Sequence, residues 1–477
     1  MTNRRTKKLL FFNIVYSGLY QILVLIVPLL TTPYVTRIFN VEQMGSYGAS
    51  LALANLFSYA AKMGMGYYGN RKIAQADSKE EYSADFFSLF KIQFISSIVF
   101  FFIFIVITVP FGKRSELYLI QSLFILFGFF DVSWFFIGME DMKKVVVRNM
   151  LTKILTTIAI FIFVKKSTDL TLYAFIVVLG ILLGNLFMWY RINTYIDFSY
   201  RKEKIKKNHI GGSFRLMVPF FLNNMYTTVD RNYLLWLSNS FGSVGVYDQG
   251  RKIINILQTF CNASIDAVMP RMAFMSKEKN SKDYIDFIQK GLKICIIISI
   301  LLVSGILTCS EYFVPLFFGP GYGDVRYVME ISSLAFIIFP TSIFLSNGVM
   351  VSSSKDKNFL AISIVMILSS ALFNIVLDSK YLFIGASIAY IFTEIIGFCM
   401  KINVLKEIIS IRSIFINVVI IMIGSFFSIV MIKLINRYID LDSSISNLAL
   451  NILLNLVILF ILLLIISMKK IKTRILK

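Results

Sequence analysis

The sequence predicts an all-α polytopic membrane protein of about 14 transmembrane helices, and three observations carry that prediction. Apolar runs of about 20 residues, the length that crosses a hydrocarbon core, recur along all 477 residues. Hydrophobic side chains make up 57% of the chain and charged ones 16%, with a mean hydropathy of +0.75. No stretch shows the alternating polarity of barrel strands.

In chain order, the first run, 9–36, follows the basic stretch Met1 to Lys8. It is too long for a signal peptide and lacks a small-residue cleavage site, so it reads as an uncleaved span. Spans at 45–67, 86–110, 117–138, 149–164 and 170–190 complete a six-helix lobe over 1–200. A basic loop containing Arg201 to Lys207 leads into spans at 216–238, 245–269, 289–310, 328–351, 358–377 and 381–400, a second six-helix lobe over 201–412. Two further runs, 413–434 and 447–468, and a basic tail form an added hairpin over 413–477.

An even number of spans puts both termini on one side, and Lys and Arg choose that side. With the termini cytoplasmic, the far face holds only Arg37, Lys113, Arg114, Lys165, Lys166, Arg326, Lys380, Lys433 and Arg437 of the 48 basic residues. The sequence therefore predicts a multi-pass membrane protein with cytoplasmic N- and C-termini. The same distribution accounts for the net charge of +21. Basic loops at a membrane face meet anionic headgroups, so membrane lipids are expected partners and nucleic acid is not.

Several chemistries are excluded. The four cysteines fall in or beside apolar runs with no metal-ligand spacing, and the lone histidine, His209, lies in a loop. No Gly-Lys-Ser/Thr phosphate loop exists, so ATP-driven transport within the chain is excluded and no cofactor or metal is expected. The longest external loop, near Glu311 to Tyr327, offers only Glu311, Asp324 and Arg326 to an enzymatic reaction. A transporter is the better reading.

An offset of 200 positions lays Gly45-Ser-Tyr47 on Gly245-Val-Tyr247, Asn55 on Asn255, Arg71 on Arg271 and, one residue further, Asp85-Phe86 on Asp286-Phe287. Six spans separate the copies, so they share one orientation, as in transporters built from two parallel bundles.

Within this frame certain spans are wet. Asp248, Arg251, Lys252, Asn255, Gln258, Thr259, Asn262 and Asp266 recur at intervals of three and four along the eighth span, hence on one helical face. Asn223, Asn224, Thr227, Thr228 and Arg231 do so in the seventh span, Asn55, Ser58, Tyr59 and Lys62 in the second, and Asn13, Ser17 and Gln21 in the first. Four helices, two per half, are thus expected to face a central cavity. The first-half counterparts of Asp230, Arg231, Arg251 and Lys252 are Leu30, Thr31, Leu51 and Ala52, so the scaffold does not itself need charge there. Charge in hydrocarbon costs several kcal/mol, on the order of 3, unless a cavity or partner relieves it. Two readings follow: contact with a ligand, or an internal network in which Arg231 pairs with Asp248 and Lys252 with Asp230. The Asn, Ser and Thr groups read equally as helix glue, and Lys62 also as a side chain snorkelling to the interface. Asp131 and Glu394 are lone intramembrane acids, suited to a coupling cation or proton, or to a protonated, hydrogen-bonded carboxyl.

Pro33-Tyr-Val-Thr-Arg37, Gly45-Ser-Tyr47, Gly69-Asn-Arg71-Lys-Ile-Ala74, Trp134-Phe-Phe-Ile-Gly138-Met-Glu140, Asp230-Arg231, Gly245-Val-Tyr247 and Pro270-Arg271 occur in that order. Together they resemble the Wzx-type polysaccharide repeat-unit flippases of the multidrug/oligosaccharidyl-lipid/polysaccharide exporter superfamily, a resemblance reaching to about Lys357. It implies a V-shaped pair of six-helix lobes that moves an undecaprenyl-diphosphate-linked oligosaccharide, such as an O-antigen or capsule unit, from inner to outer leaflet by alternating access. It also implies a bacterial plasma (inner) membrane as location, a cationic cavity for diphosphate and acidic sugars, and a sodium or proton gradient as drive. By the resemblance Arg231, Arg251 and Lys252 become anion contacts, with Lys62 and Arg37 beside them. Asn224 and Asn255 suit sugar hydroxyls; Asp230, Asp248, Asp266, Asp131 and Glu394 are the candidates for gating or coupling. Alternatives are a peptidoglycan-precursor flippase or a multidrug/cation antiporter of the same superfamily, and a non-transporting scaffold, which would have no use for wet stripes.

Overall fold

A computed structural model describes residues 2–108, 110, 114–266, 268, 271–272, 275, 282–351, 356–407, 409–439 and 443–475. Among these residues the structure is helical and without strands. It forms two compact units, Met1–Leu235 and Trp236–Lys477. Most of the seventh expected span, 216–238, thus falls in the first unit, although the repeat in sequence restarts near residue 201.

In the first unit the helices are α1 (Thr2–Ile38), α2 (Val41–Ala61), α3 (Met65–Ala74), α4 (Lys79–Thr108), α5 (Ser115–Leu126), α6 (Ser133–Gly138), α7 (Met142–Phe163), α8 (Leu170–Trp189) and α9 (Lys207–Thr228), with α10 (Asp230–Ser238) at its end. Local chemistry sets these ends. Asn40 caps α2 reciprocally with Gln43: the Gln43 N–H donates to Asn40 Oδ1 (2.8 Å) and the Asn40 N–H to Gln43 Oε1 (3.0 Å). Between α2 and α3 the chain turns at Gly64 (φ +69°), where a Cβ would lie 2.8 Å from the Ser213 carbonyl oxygen of α9. Tyr34 of α1 donates to the Val164 carbonyl (2.7 Å), pinning α1 to the end of α7.

The fourth expected span, 117–138, is broken. A 3-10 turn, Phe127–Phe130, separates α5 from α6. Its core is aromatic: Trp134 stacks on Phe86 at 5.6 Å, and Gly69 of α3 sits so close that a Cβ there would be 2.7 Å from the indole.

The second unit holds α11 (Phe241–Asp266), α12 (Lys282–Phe318), α13 (Val325–Ser333), α14 (Phe339–Ile343), α15 (Asp356–Leu405), α16 (Ile411–Tyr438) and α17 (Ser444–Ile475). The break recurs at the corresponding place. A 3-10 turn, Leu334–Ile337, lies between α13 and α14, and the span bends by 50°. Pro340, at the start of α14, has no N–H to continue the preceding helix. α15 is two segments in one run, divided at Leu382 (φ 52°, ψ −133°), which accommodates the expected spans 358–377 and 381–400. The added hairpin packs on α12: Asn451 Nδ2 donates to the Thr308 carbonyl (2.7 Å) and Asn455 Nδ2 to Thr308 Oγ1 (2.9 Å).

Among the described residues, nine helices are long and apolar enough to cross a membrane, ten with the bent pair α13 and α14. The expected spans 45–67, 216–238 and 245–269 are helices too polar to be among them. They are three of the four that carry the polar stripes.

Candidate functional site

The break between α5 and α6 leaves backbone groups without helical partners, and buried groups of this kind must be satisfied. Side chains do so. Gln93 of α4 donates to the carbonyls of Gly128 (2.8 Å) and Asp131 (3.1 Å), Asn185 of α8 to that of Phe127 (3.2 Å), and Trp189 to that of Phe130 (2.9 Å). Asp131 starts the second half-helix by accepting from the Ser133 N–H (3.2 Å).

The same Asp131 sits between two cations. Lys62 Nζ lies 2.9 Å from Oδ2 and the Arg148 guanidinium 3.4 Å from Oδ1, while Arg148 also donates to Asn185 Oδ1 (3.0 Å). Their side-chain exposures, 37% for Lys62, 15% for Asp131 and 11% for Arg148, make Lys62 the accessible member. The lone acid of the sequence reading thus has two basic partners, and Lys62 is not simply snorkelling. Arg148, which the topology count places in a loop, is buried. Its charge was visible in the sequence; its burial was not, because it begins a helix that packs over the break.

Asp230 begins α10 just after α9 ends and is buried; Arg231 is half-buried. Arg37 is exposed, and its guanidinium donates to the Pro33 carbonyl one turn back (2.6 Å). The side chains of Asn13, Ser17, Asn223, Asn224, Thr227 and Asp266 lie outside the described residues.

In the second unit the stripe of α11 is present, but part of it turns inward. On its other face Gly250 meets α13, a Cβ there falling 2.6 Å from Val328. On the striped face Gln249 links two of the predicted residues: Lys252 Nζ donates to Gln249 Oε1 (3.0 Å), and Gln249 Nε2 to Asp248 Oδ2 (3.4 Å). Asn255 is half-buried, its carbonyl accepting from Thr259 Oγ1 (2.8 Å). Arg251 is only 7% exposed. Its guanidinium lies 3.6 Å over the ring of Tyr390 of α15, and Gln258 Nε2 donates to the Tyr390 hydroxyl (2.6 Å). Glu394, one turn beyond Tyr390, is buried.

Sequence reasoning missed Tyr390, Lys401 and Asp378. Lys401, assigned to a loop, is buried and donates to Ser342 Oγ at the helix break (2.7 Å). Asp378, also assigned to a loop, is 0% exposed one turn after buried Asn374. In both units, then, a broken helix is met by a buried cation, Arg148 in the first and Lys401 in the second. Discontinuous helices with charges at the break are how transporters of parallel repeats present polar groups inside a membrane. Stacking uses the face of the Arg251 plane. Its N–H groups lie in the plane, the direction along which guanidinium binds phosphate or carboxylate.

Known proteins share this architecture. The chain is 26% identical over 395 residues to an Escherichia coli (strain K12) protein named "Putative O-antigen transporter", covering 80% of this chain and 93% of that one. It is 22% identical over 267 residues to "Capsular polysaccharide biosynthesis protein CapF" of Staphylococcus aureus, covering 54% and 66%. Among solved structures, "Lipid II flippase MurJ, inward closed conformation" aligns over 97% of this chain and 100% of that one, with a TM-score of 0.77 at 15% identity. An inward-facing multidrug resistance MATE family transporter covers 80% and 99% at a TM-score of 0.60 and 16% identity. At those identities the likeness is one of fold. The model of the family "Polysaccharide biosynthesis protein" matches residues 10–276, more than half of the chain. With two helix-broken units, charged helices among apolar ones and this match, the chain belongs to the polysaccharide biosynthesis protein family.

Proposed function

We propose that the protein translocates undecaprenyl-diphosphate-linked oligosaccharide repeat units from the inner to the outer leaflet of a bacterial plasma membrane, by alternating access, for surface polysaccharide export. Both termini are cytoplasmic in this reading. The observation that carries it is Arg251. A permanent cation, buried in a helix packed among apolar ones and stacked on Tyr390, is an expensive feature whose chemistry suits a diphosphate. Arg231 and Lys252, half-buried in neighbouring parts of the sequence, extend the basic character that an anionic head requires. Asn255, Gln258 and Thr259 suit sugar hydroxyls. The polyprenyl tail stays in the bilayer, so only the polar head needs a wet path.

Lys62 belongs to this reading as a switchable contact, held by Asp131 when no anion is present and released to one that competes. Arg37 is a peripheral contact. A sodium ion or proton drives the cycle; buried Asp378 and Glu394 are the acids we assign to it, with Asp230, Asp248, Asp266 and Asp131 in gating. The names of the relatives, which refer to O-antigen and capsule, support the polysaccharide assignment.

The test is genetic and chemical. Cells lacking the gene are expected to accumulate lipid-linked repeat units on the cytoplasmic leaflet while surface polysaccharide disappears. Normal surface polysaccharide, with unchanged lipid-linked pools, would refute the assignment. Loss of cell-wall synthesis in its place would point to a peptidoglycan precursor as cargo.

A further inference from the structure

The second unit carries a cavity of about 450 Å³ that the proposed transport path does not use. It lies between the C-terminal half of α11, the start of α12 and α14, and Cys261, Ile265, Ile294, Ile298, Pro340 and Phe344 supply most of its apolar lining. Its walls are fixed: Cys295 Sγ donates to the Pro340 carbonyl (3.4 Å), and Gly291 leaves room for the Phe344 ring, which a Cβ would meet at 2.3 Å. One side is open, since Ile294 on the lining is 57% exposed.

The groove is not uniformly apolar. Arg271 and Lys290 also line it, and both are exposed. The Arg271 guanidinium lies 5.3 Å over the ring of Phe287, which fixes it at that place. Among the described residues neither cation forms an ion pair. A slot with two exposed cations beside an apolar trough matches a molecule with an anionic head and a hydrocarbon chain.

The first unit shows that the fold does not require the slot. In the register that lays Asp85-Phe86 on Asp286-Phe287, Gly291 corresponds to Phe90, which packs on Phe86 (6.1 Å) and Trp189 (5.0 Å), while Trp134 of α6 lies against Phe86. There the junction of the fourth helix with the second half of the broken span is filled by aromatic rings. In the second unit the junction of α12 with α14 is left open: Gly291 stands in place of the phenylalanine, and Lys290 in place of Leu89.

We propose that this groove binds an anionic phospholipid of the surrounding bilayer, its phosphate held by Arg271 and Lys290 and one acyl chain lying along Cys261, Ile265, Ile294 and Ile298. A lipid seated here props α11, which carries Arg251, against α12 and α14.

Native mass spectrometry of the full-length protein, titrated with phosphatidylglycerol and separately with phosphatidylcholine, tests it. The wild type is expected to retain one phosphatidylglycerol more tightly than any phosphatidylcholine. At roughly 1 kcal/mol for each cation near a lipid phosphate, Arg271→Ala with Lys290→Ala should weaken that binding on the order of tenfold to thirtyfold. Ile294→Trp, which fills the trough and keeps both charges, should also lose it. Both cations are exposed, so the melting temperature in detergent should stay near that of wild type; single Lys290→Gln serves should the double variant melt early. Undiminished phosphatidylglycerol binding by these variants, or equal binding of the two lipids by the wild type, would overturn the proposal. So would preferential uptake of a polyprenyl monophosphate, which would make the groove a seat for the cargo's tail.

Discussion

Arg251 and Lys62 show two ways of keeping a cation in an apolar helix bundle. Lys62 is neutralised by Asp131, with Arg148 as the second partner; Arg251 is laid on the Tyr390 ring, a contact whose strength rises to about 2 kcal/mol when water is excluded. If that stack orients Arg251 for an anion, Tyr390→Leu should lower transport roughly fivefold to thirtyfold by losing about 1 to 2 kcal/mol. Tyr390→Phe, which keeps the ring and loses the Gln258 bond, should retain most of it; equal activity of Tyr390→Leu and wild type in a leaflet-translocation assay would contradict the role. In the first unit, removing one member of a buried charge cluster strands the others. Arg148→Met is therefore expected to destabilise by about 3 kcal/mol and Lys62→Met, at the accessible edge, by about 1 kcal/mol or less, measured by denaturation in detergent. The charges themselves were legible, because Asp131, Arg251 and Lys252 interrupt apolar runs. Their partners were not: Tyr390 is an ordinary residue of an apolar span, and Arg148 and Lys401 stand at span ends where basic residues usually meet headgroups.

At the scale of elements, the feature that matters is the broken span in each unit. Hydropathy predicts 117–138 and 328–351 as continuous helices, since it does not register a 3-10 turn. Pro340 was the available signal in the second, and in the first Asp131, an acid that caps the next half-helix, was read only as a charge. Close packing holds the first break in place, and it depends on Gly69 beneath Trp134. Gly69→Ala should cost about 1 to 3 kcal/mol through that clash. Gly66→Ala, in the same helix with nothing within 4 Å of its Cβ, should instead stabilise by up to about 1 kcal/mol. Equal and same-signed shifts in melting temperature would show that the aromatic cluster yields easily and does not fix the break. The polar stripes, by contrast, were readable from spacing alone. What spacing could not give is their direction, and α11 turns Arg251 and Gln258 toward α15 of its own unit.

The whole molecule is a duplicated membrane bundle with unequal halves. Position matches such as Gly45-Ser-Tyr47 with Gly245-Val-Tyr247 made the duplication visible, and the 3-10 turns at Phe127–Phe130 and Leu334–Ile337 repeat it in structure. The charge asymmetry between the halves, Arg251 where Leu51 stands and Lys252 where Ala52 stands, is the feature on which the proposal of an anionic cargo rests. The identity of that cargo's sugar is written in no motif, because hydroxyl recognition by Asn, Gln and Thr is generic chemistry. The most direct test of the account reconstitutes the protein in vesicles with a fluorescent undecaprenyl-diphosphate-linked oligosaccharide and follows its accessibility to an external quencher. Wild type should expose or protect the label at a rate at least about tenfold above protein-free vesicles, and Arg251→Gln should lose about 2 to 4 kcal/mol of that acceleration, most of the effect. Translocation by Arg251→Gln at the wild-type rate, with the protein folded and correctly inserted, would show that the buried arginine holds the bundle together and carries no substrate.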